Sequence, residues 1–471
     1  MTTTRTLARF VHGLDFEQLP PEVRERVPAL VLDLAGIMVR ARHDAESTPS
    51  LLAAARRLGL AQGSCTVIGD AAGYTPAGAA MVNGTLAHSL DFDDTHAPGS
   101  LHPSAPIVPA AFAAAEMTGA AGRAIIAAIV AGYEVQIRLS LALNPAAHYD
   151  RGFHPTATCG AFGAAAAAGR LLGLDEQGHV HAFGIVLSMA AGSMQFLENG
   201  AWTKRSHVGH AAMCGLTAAT LAAEGYQGAA DALEGKWGFL HAYSPAADAA
   251  RVVDGLGERW ETLKIAVKPY PSCRYSHAAI DGIRRLVGEH GIKPEEVAGV
   301  VVGVPEAGWK IIGNPEAAKQ SPASVVDGQF SMAFCAAVTL RTGSLVWDDY
   351  ARHLGDRETL ALCKRIRTQV DSRAQADFPA EMSAGVRIDT ARGAFETYVR
   401  VPKGEPANFL SAPELRAKFD GLVGPYLSRE RADALAEGLL GLAKARELGP
   451  ILRLSRKDER AAELRVVARE S

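Results

Sequence analysis

Apolar residues recur at the spacing of an α-helix from residue 17 to about residue 250. One such helix face is formed by Leu30, Val31, Leu34, Ile37 and Met38. The two prolines at 20 and 21 mark the start of this helix, because proline fits the first helical turn. The same periodicity continues along this region, and it predicts that helix follows helix.

The segment "TATCGAFGAAAAAGRLLGLD", residues 156–175, predicts a helix that is buried on all sides. Gly160, Gly163 and the surrounding alanines have almost no side chain, so neighbouring helix backbones can approach closely. This composition is typical of a helix at the centre of a bundle.

The pattern changes after "KPYPSC", which ends at residue 273. Short valine-rich or alternating runs follow, and they predict β-strands in "VAGVVVGVP", "MSAGVRID" and "FETYVRVP". Helices are predicted among them over 275–288 and 328–341. The region therefore predicts a smaller α+β domain.

Helical periodicity returns in "APELRAKFDGLVGPYL" and "ERADALAEGLLGLAKA", so we expect the C-terminal segment to pack onto the first domain. The last residues, 455–471, are highly charged and predict a frayed helix. The predicted fold is mainly α with an α+β part: a helical domain of residues 1–267 and 405–471, and an α+β domain of residues 268–404. No low-complexity linker separates the two, so we expect them to be in contact.

Composition agrees with a helical protein. Of the 471 residues 48% are hydrophobic and only 6% aromatic, so the apolar residues are mostly alanine, leucine and valine. The 48 basic and 51 acidic residues leave a net charge of −3, which provides no basic field for nucleic acid or for an anionic membrane. An anionic ligand must therefore be bound by local cations.

The cysteines predict no metal cluster and no disulfide scaffold. They are scattered, with no CxxC pair, at positions 65, 159, 214, 273, 335 and 363. The N-terminus lacks an apolar signal region, and the run "AIIAAIVAGYEVQIRL" meets Glu134 and Arg138 before it could span a bilayer. These features predict a soluble, cytoplasmic protein.

Several familiar catalytic motifs are missing. "GAADALEGKW" imitates a phosphate-binding loop, but six residues separate its glycines and Trp237 replaces the required Ser or Thr. No GxGxxG follows a strand and no GxSxG is present. Cys273, four residues before His277, is as readily a coincidence at a helix start as a catalytic pair.

Ionisable side chains are concentrated in "AHSLDFDDTHAPGSLHPSAP", residues 87–106. This segment contains three histidines and three aspartates, namely His88, His96, His102, Asp91, Asp93 and Asp94. Imidazole and carboxylate groups suit a divalent metal, but their spacing matches no metal signature. A proton-transfer site and a polar loop with a helix cap are the alternatives.

Further cations and imidazoles occur in otherwise apolar segments. They are His154 in "GFHPTAT", Lys204, Arg205 and His207 in "WTKRSHVGHAA", and Lys268 and His277 in "KPYPSCRYSH". Burial of a lysine or arginine is costly unless the cation meets an anion. An acidic substrate would supply that anion.

Five ordered motifs along nearly the whole chain resemble those of the MmgE/PrpD family. They are "NGTLAHSLDFDDTH…LHPSAP", "GFHPTATCGAFGAAAAAGRLLGLD", "WTKRSHVGHAA", "ALEGKWGFL" and "KPYPSCRYSH". The family includes 2-methylcitrate dehydratase, cis-aconitate decarboxylase and iminodisuccinate epimerase. The resemblance implies a large helical domain with a smaller α+β lid, a homodimer, and an active site that needs no cofactor or metal.

Carried over by motif, the resemblance implies a catalytic set of Asp93, His102, His154, Lys204, Lys268 and His277. It implies substrate-binding roles for Arg205, Thr95 and Ser272. In one respect the chain departs from decarboxylase-like members, which have a tyrosine in an "FSxxY" pattern. Here the sequence is "FSMAF", and Phe334 takes the place of a proton donor.

We therefore expect a proton-transfer site. Lys204 and Lys268, with Arg205, would bind carboxylates and stabilise developing negative charge. Asp93 would orient His102 as the base, and His154 or His277 would act as the acid. His88, Asp91, Asp94 and His96 are assigned to loop shaping or capping, and His207 and His210 to a helix face.

Several functions are open at this stage. A hydro-lyase acting on a small di- or tricarboxylate ranks first, since it needs only a base and an acid. A dicarboxylate epimerase follows, and a cis-aconitate-type decarboxylase is third because of Phe334. A metal-dependent lyase and a non-catalytic polycarboxylate-binding dimer are the remaining alternatives.

Overall fold

The computed structural model describes residues 2–198 and 200–457. The chain forms two compact units: unit 1 comprises residues 1–266 and 412–471, and unit 2 comprises residues 267–411. The predicted boundaries were residues 267/268 and 404/405. Most of the charged C-terminal segment, residues 458–471, lies outside the described residues, so its predicted helix stays a prediction.

The first part of unit 1 is helical, as the periodicity predicts. Its helices are α1 (Thr3–Gly13), α2 (Pro21–Asp44), α3 (Thr48–Arg57), α4 (Pro76–Ala87), α5 (Ser104–Thr118), α6 (Gly122–Leu143), α7 (Pro145–Asp150), α8 (Pro155–Leu171), α9 (Glu176–Leu187), α10 (Thr203–Ala223), α11 (Phe239–Tyr243) and α12 (Ala250–Val253). A short antiparallel pair, β1 (Cys65–Thr66) and β2 (Gly73–Tyr74), precedes α4.

Helix α8 lies at the centre of this bundle, as predicted from its small residues. It packs against α5, α6, α9 and α10, and residues 155–169 are all buried. A Cβ on Gly163 would lie 2.6 Å from the carbonyl oxygen of Gly132 on α6. The absence of a side chain therefore lets the backbones of α6 and α8 meet.

Helix α6 is long and apolar enough to cross a membrane by length and composition, but 89% of its most apolar window is buried inside the protein. Glu134 and Arg138 on this helix form a fully buried ion pair at 3.0 Å. Arg138 also donates to the backbone carbonyls of Asp254 and Arg259. These partners are typical of a core helix.

Unit 2 combines helices with one sheet, which confirms the predicted α+β part. Its helices are α13 (His277–His290), α14 (Glu306–Gly308), α15 (Glu316–Lys319), α16 (Val325–Gln329), α17 (Met332–Thr342), α18 (Asp348–His353), α19 (Arg357–Cys363) and α20 (Ser372–Asp377). Its strands are β3 (Val297–Val304), β4 (Ile366–Val370), β5 (Ala384–Thr390) and β6 (Gly393–Val399).

The sheet has the order β4-β3-β5-β6. Strands β3 and β4 are parallel, with Val300 opposite Ile366, and the other pairs are antiparallel. The inward-facing residues of β3 and β5, such as Val302 and Val386, are buried, and α13 and α17 pack against the sheet. Strand β4 was not predicted, because only Ile366 and Thr368 in "IRTQV" are buried and the run shows little apolar alternation.

The chain then returns to unit 1 through α21 (Ala412–Val423), α22 (Arg429–Leu440) and α23 (Gly449–Arg453). Helix α21 packs on α2, where Gly36 allows the ring of Phe419 to approach closely. The C-terminal segment therefore belongs to the helical core, as predicted.

Candidate active site

The ionisable segment forms an irregular turn between α4 and α5. His88 caps the C-terminus of α4, and Asp91 then adopts a left-handed backbone conformation with φ of 51°. Aspartate tolerates this conformation better than most residues. The turn reverses the chain so that consecutive carboxylates reach different partners.

Asp93 is fully buried between two imidazoles. Its Oδ2 accepts a hydrogen bond from Nδ1 of His88 at 2.8 Å. The same oxygen lies 3.1 Å from Nδ1 of His102, but this second contact does not have the geometry of a hydrogen bond. Burial would raise the pKa of Asp93, but the two histidines outweigh it and hold that pKa well below its usual range. Asp93 is therefore a buried anion that hydrogen-bonds His88 and also lies against His102, the partner that the sequence predicts.

His102 is the most accessible imidazole of this group, with 15% of its side chain exposed against none for His88. The two rings are 4.6 Å apart in an edge-on arrangement. The backbone N–H of His102 donates to the hydroxyl of Thr156, which fixes the turn to the first residues of α8. His102 is thus placed to meet both Asp93 and an incoming ligand.

His154 completes an imidazole cluster of His88, His102 and His154. It is the N-cap residue of α8, and its ring lies 5.8 Å from that of His88. Burial, assisted by the neighbouring histidines and Lys204, holds the pKa of His154 well below its usual value. Burial likewise lowers the pKa of His88 to about 4, against the opposing effect of Asp93. Both rings are therefore neutral near pH 7.

Four buried polar atoms of Asp93 and this cluster have no hydrogen-bond partner among the described residues: Oδ1 of Asp93, Nε2 of His88, Nδ1 of His102 and Nδ1 of His154. Buried polar atoms in folded proteins are nearly always paired, so such a concentration requires an explanation. A polar ligand that pairs with these atoms would provide it.

Lys204, at the start of α10, forms an ion pair with Asp91, with 2.7 Å between Nζ and Oδ1. Burial disfavours the ammonium, but Asp91 outweighs it and the pKa of Lys204 is raised. The cation predicted to bind substrate is thus present and charged, and it already faces one carboxylate. Neighbouring Arg205 donates to the hydroxyl of Ser47 and lies over the ring of Trp202.

Two residues of the turn have structural roles, as assigned from the sequence. Asp94 accepts hydrogen bonds from the amide and hydroxyl of Ser104, and burial raises its pKa to about 8. His96 accepts the N–H of Gly99 at Nδ1 and bonds Glu261 through Nε2. Thr95 pairs its backbone with Ala266 in an isolated antiparallel bridge.

The remaining predicted residues belong to unit 2. Lys268 is 3% exposed, and its neighbour Val267 donates its amide to the carbonyl of Gly404. His277 begins α13 and bonds the carbonyl of Ser272 through Nε2 at 3.2 Å. The hydroxyl of Ser272 is buried and pairs with that of Ser276.

Phe334 is a core residue of unit 2. Its ring is fully buried and stacks on Tyr350 at 5.7 Å. The Tyr350 hydroxyl donates to the carbonyl of Pro271. A tyrosine hydroxyl at position 334 would enter this hydrophobic core, so the position is a poor site for a proton donor.

A cavity of about 460 Å³ adjoins the imidazole cluster within unit 1. His207 and His210 of α10 line it together with Gly192, whose carbonyl accepts the amide of His154. The rings of His154 and His207 are 5.8 Å apart. Both histidines lie on a helix face, as assigned from the sequence, but that face borders the candidate site.

The donor set of His88, Asp93 and His102 could also hold a metal, since their ligand atoms lie within 4.8 Å of one another. Mixed nitrogen and oxygen donors suit zinc, iron or manganese. If Nδ1 of His88 donates to Asp93, its Nε2 is the nitrogen that could ligate a metal. The same arrangement of imidazoles around a carboxylate suits proton transfer.

Two residues of the site were assigned from the sequence only to loop shaping, His88 and Asp91. His88 makes the hydrogen bond to Asp93, and Asp91 pairs with Lys204. The sequence offered one indication that these two side chains lie close together, their i, i+3 spacing at the end of a helix. This spacing is also common in helix caps, so it did not point to a role in the site. Their contacts depend on the left-handed turn, which no residue pattern encodes.

Comparison with known proteins gives matches over most of the chain. Residues 5–251 match the MmgE/PrpD N-terminal domain and residues 270–442 the MmgE/PrpD C-terminal domain. A cis-aconitate decarboxylase of Aspergillus terreus is 28% identical over 485 residues, covering 96% of this chain and 95% of that protein. A cis-aconitate decarboxylase-like protein of Aspergillus oryzae is 27% identical over 481 residues, with 96% of each covered. A human cis-aconitate decarboxylase is 29% identical over 363 residues, covering 73% of this chain and 71% of that protein.

Proposed function

The chain belongs to the MmgE/PrpD family, and on that premise we propose that it is a lyase acting on a small tricarboxylate. The observation that carries the proposal is the buried Asp93 between His88 and His102, beside His154 and the Asp91–Lys204 pair. This arrangement combines imidazoles for proton transfer with a cation for a carboxylate. The activity to test first is decarboxylation of a cis-aconitate-type substrate.

Two observations raise decarboxylation above its third place in the sequence-based ranking. The relatives reported above are named for it. Furthermore, decarboxylation was ranked third because Phe334 replaces a possible proton donor. The Phe334 side chain is buried in the core of unit 2, so this objection carries less weight. Hydration or dehydration remains the second candidate, because a neutral imidazole base and a second imidazole acid are what it requires.

The chemistry has one difficult step. Breaking the C–CO2 bond releases CO2 and leaves the bonding electron pair on an allylic carbon. That pair is delocalised through the adjacent double bond towards a second carboxylate, and one proton is then added to carbon. The protein must therefore stabilise accumulating negative charge and deliver a single proton.

We assign proton delivery to His102, the accessible imidazole beside the anionic Asp93. A buried carboxylate stabilises the imidazolium in surroundings of low dielectric constant. Lys204 would bind a substrate carboxylate while retaining Asp91, since an ammonium has three N–H donors. Lys268 of unit 2 is proposed as a second carboxylate-binding cation, as the family resemblance implies.

Proton NMR identifies the reaction in one experiment. The enzyme is incubated in D2O with cis-aconitate, citrate, 2-methylcitrate and iminodisuccinate in separate tubes. New vinylic signals with deuterium in the product and loss of one carbon as CO2 would establish decarboxylation. Interconversion of cis-aconitate with a hydroxy acid would instead establish a hydro-lyase.

Two results would reject the proposal. Deuterium exchange without a change of carbon skeleton would indicate an epimerase, and no change with any of the four acids would remove the support for a polycarboxylate enzyme. The same assay after chelation addresses metal dependence. Lost activity that is restored by a stoichiometric divalent ion would replace the metal-free mechanism.

A further inference from the structure

Lys418 of α21 is a buried cation far along the chain from the candidate site residues. Its Nζ lies 2.6 Å from Oδ1 of Asp33 on α2, and the two side chains are only 6% and 2% exposed. Burial of such a pair requires both charges to lose their water. The pair lies next to Phe92, in the turn that carries the site carboxylates.

The ammonium of Lys418 also holds Phe92. It donates to the carbonyl of Phe92 at 3.2 Å and lies 3.9 Å from the centroid of the Phe92 ring. Phe92 is the residue between Asp91 and Asp93, which pair with Lys204 and His88 respectively. One cation therefore fixes both the backbone and the ring of the residue that joins the two site carboxylates.

The turn needs such an anchor. Asp91 has its left-handed backbone immediately before Phe92, and a non-glycine residue in that region costs free energy unless its surroundings hold it. Buried ion pairs themselves often add no stability over apolar residues of the same size. Net stabilisation of the fold is therefore not a sufficient reason for the Asp33–Lys418 pair.

We propose that Lys418 and Asp33 are positioning residues of the active site, which hold Phe92 so that Asp91 reaches Lys204 and Asp93 reaches the imidazoles. Lys418 makes the contact with the turn, and Asp33 keeps its charge paired inside the protein. The proposal rests on the proposed function for its kinetic consequences, but its structural consequence can be measured without any substrate.

The test uses the neutral double variant Asp33→Asn/Lys418→Met, which removes the contact with Phe92 without leaving a lone buried charge. Arg40→Met is the matched control, since the Arg40 side chain is also 6% exposed and pairs with Asp44 in the same unit. Hydrogen–deuterium exchange of the peptide that contains residues 88–94 is followed by mass spectrometry. Exchange should become faster in the double variant and stay at the wild-type rate in the control.

Kinetics provide the second readout. Misplaced carboxylates should lower kcat by about 10- to 100-fold, while KM changes by less than about threefold. The alkaline limb of the kcat/KM profile should move to lower pH, because the imidazolium that delivers the proton is more easily deprotonated once it loses its carboxylate partner. A merely structural pair would not change that profile.

Unchanged exchange in the 88–94 peptide of the double variant would overturn the proposal, whether or not the enzyme acts on tricarboxylates. The proposal would also be overturned if the double variant of an active enzyme kept the wild-type kcat and pH profile. It would be overturned as well if Arg40→Met lowered kcat as much as the double variant does. A wild-type enzyme without activity on any tricarboxylate would instead reject the proposed function. The two failures are therefore distinguishable.

Discussion

At the scale of single residues, the candidate site depends on one buried carboxylate that faces two imidazoles. Asp93 and His102 were predicted from the sequence, because a family motif marks them. The hydrogen bond from His88 to Asp93 was not predicted, since it spans five residues across an irregular turn. Motifs identify which side chains have the right chemistry, whereas the partner of each depends on backbone geometry.

Lys204 provides a test of substrate binding at this scale. Substitution Lys204→Met removes the ammonium and its ion pair with Asp91. We expect KM for the tricarboxylate to rise about 10-fold or more, because a charge-assisted contact contributes about 1.5–3 kcal/mol. Steady-state kinetics at several ionic strengths would measure the change in KM.

The control for this variant is Lys236→Met. Lys236 is exposed and lies over the ring of Trp237, and it is not among the residues assigned to the site. It should leave KM unchanged. An equal rise in KM for both variants would mean that general electrostatic attraction, and not the position of Lys204, governs substrate binding.

At the scale of elements, the site is positioned by close contacts between helices α4, α8 and α10. Gly84 of α4 and Gly209 of α10 face each other, and a Cβ on Gly84 would lie 2.8 Å from Cα of Gly209. Helix α4 ends at His88, and α10 begins beside Lys204. The distance between the two helices therefore sets the relative positions of these side chains.

Substitution Gly209→Ala tests this contact. The new Cβ would lie 2.2 Å from both the carbonyl oxygen of Met81 and Oγ1 of Thr85, so α4 and α10 must separate. We expect a loss of about 1–3 kcal/mol in the free energy of unfolding, as for other overpacked cores. Urea denaturation measures the loss, and the activity should fall with it.

Gly421→Ala on α21 serves as the comparison, since a Cβ there would meet nothing within 4 Å. It should stabilise the protein by up to about 1 kcal/mol, because alanine favours a helix over glycine. If Gly209→Ala were as stable as Gly421→Ala, the close packing of α4 and α10 would be refuted.

Most elements were predictable from periodicity because their buried faces are continuous. The start of α2 at Pro21 and strands β3, β5 and β6 agree with the predicted segments. The pair β1 and β2 was missed because two-residue strands are too short to form a pattern. Strand β4 was missed because "IRTQV" lacks the run of valine or aromatic residues that marks β3 and β6. Short elements are decided by tertiary pairing.

At the scale of the whole molecule, buried neutral histidines couple stability to pH. Burial lowers the pKa of His88 to about 4 and that of His179 to about 3, from 6.5 in an accessible histidine. Between the lowered value and 6.5 the unfolded chain binds protons that the folded protein does not. Stability is therefore complete above pH 6.5 and falls as the pH decreases.

We expect the free energy of unfolding to drop by about 2 kcal/mol for each such fully buried histidine between pH 7 and pH 5. Urea denaturation at pH 7, 6 and 5 would measure the slope. A constant or rising free energy of unfolding towards pH 5 would show that these imidazoles are protonated in the folded protein.

The two-part organisation and the mainly α class were also evident in the sequence, because the change from helical to valine-rich texture is sharp. The reaction was not evident, since dehydration, epimerisation and decarboxylation all use an acid, a base and cations. Phe334 illustrates the difficulty: as a motif position it weighed against decarboxylation, whereas its place in the core of unit 2 weakens that objection.

The measurement that most directly tests the central claim is kcat for Asp93→Asn with the tricarboxylate that the wild type converts. The amide keeps the size of the side chain and removes the charge between His88 and His102. The proposed mechanism predicts that kcat falls at least about 100-fold while circular dichroism and the thermal midpoint show a folded protein. The exposed His241→Gln variant should retain full activity. A folded Asp93→Asn enzyme with wild-type kcat would contradict the assignment of this cluster as the proton-transfer site.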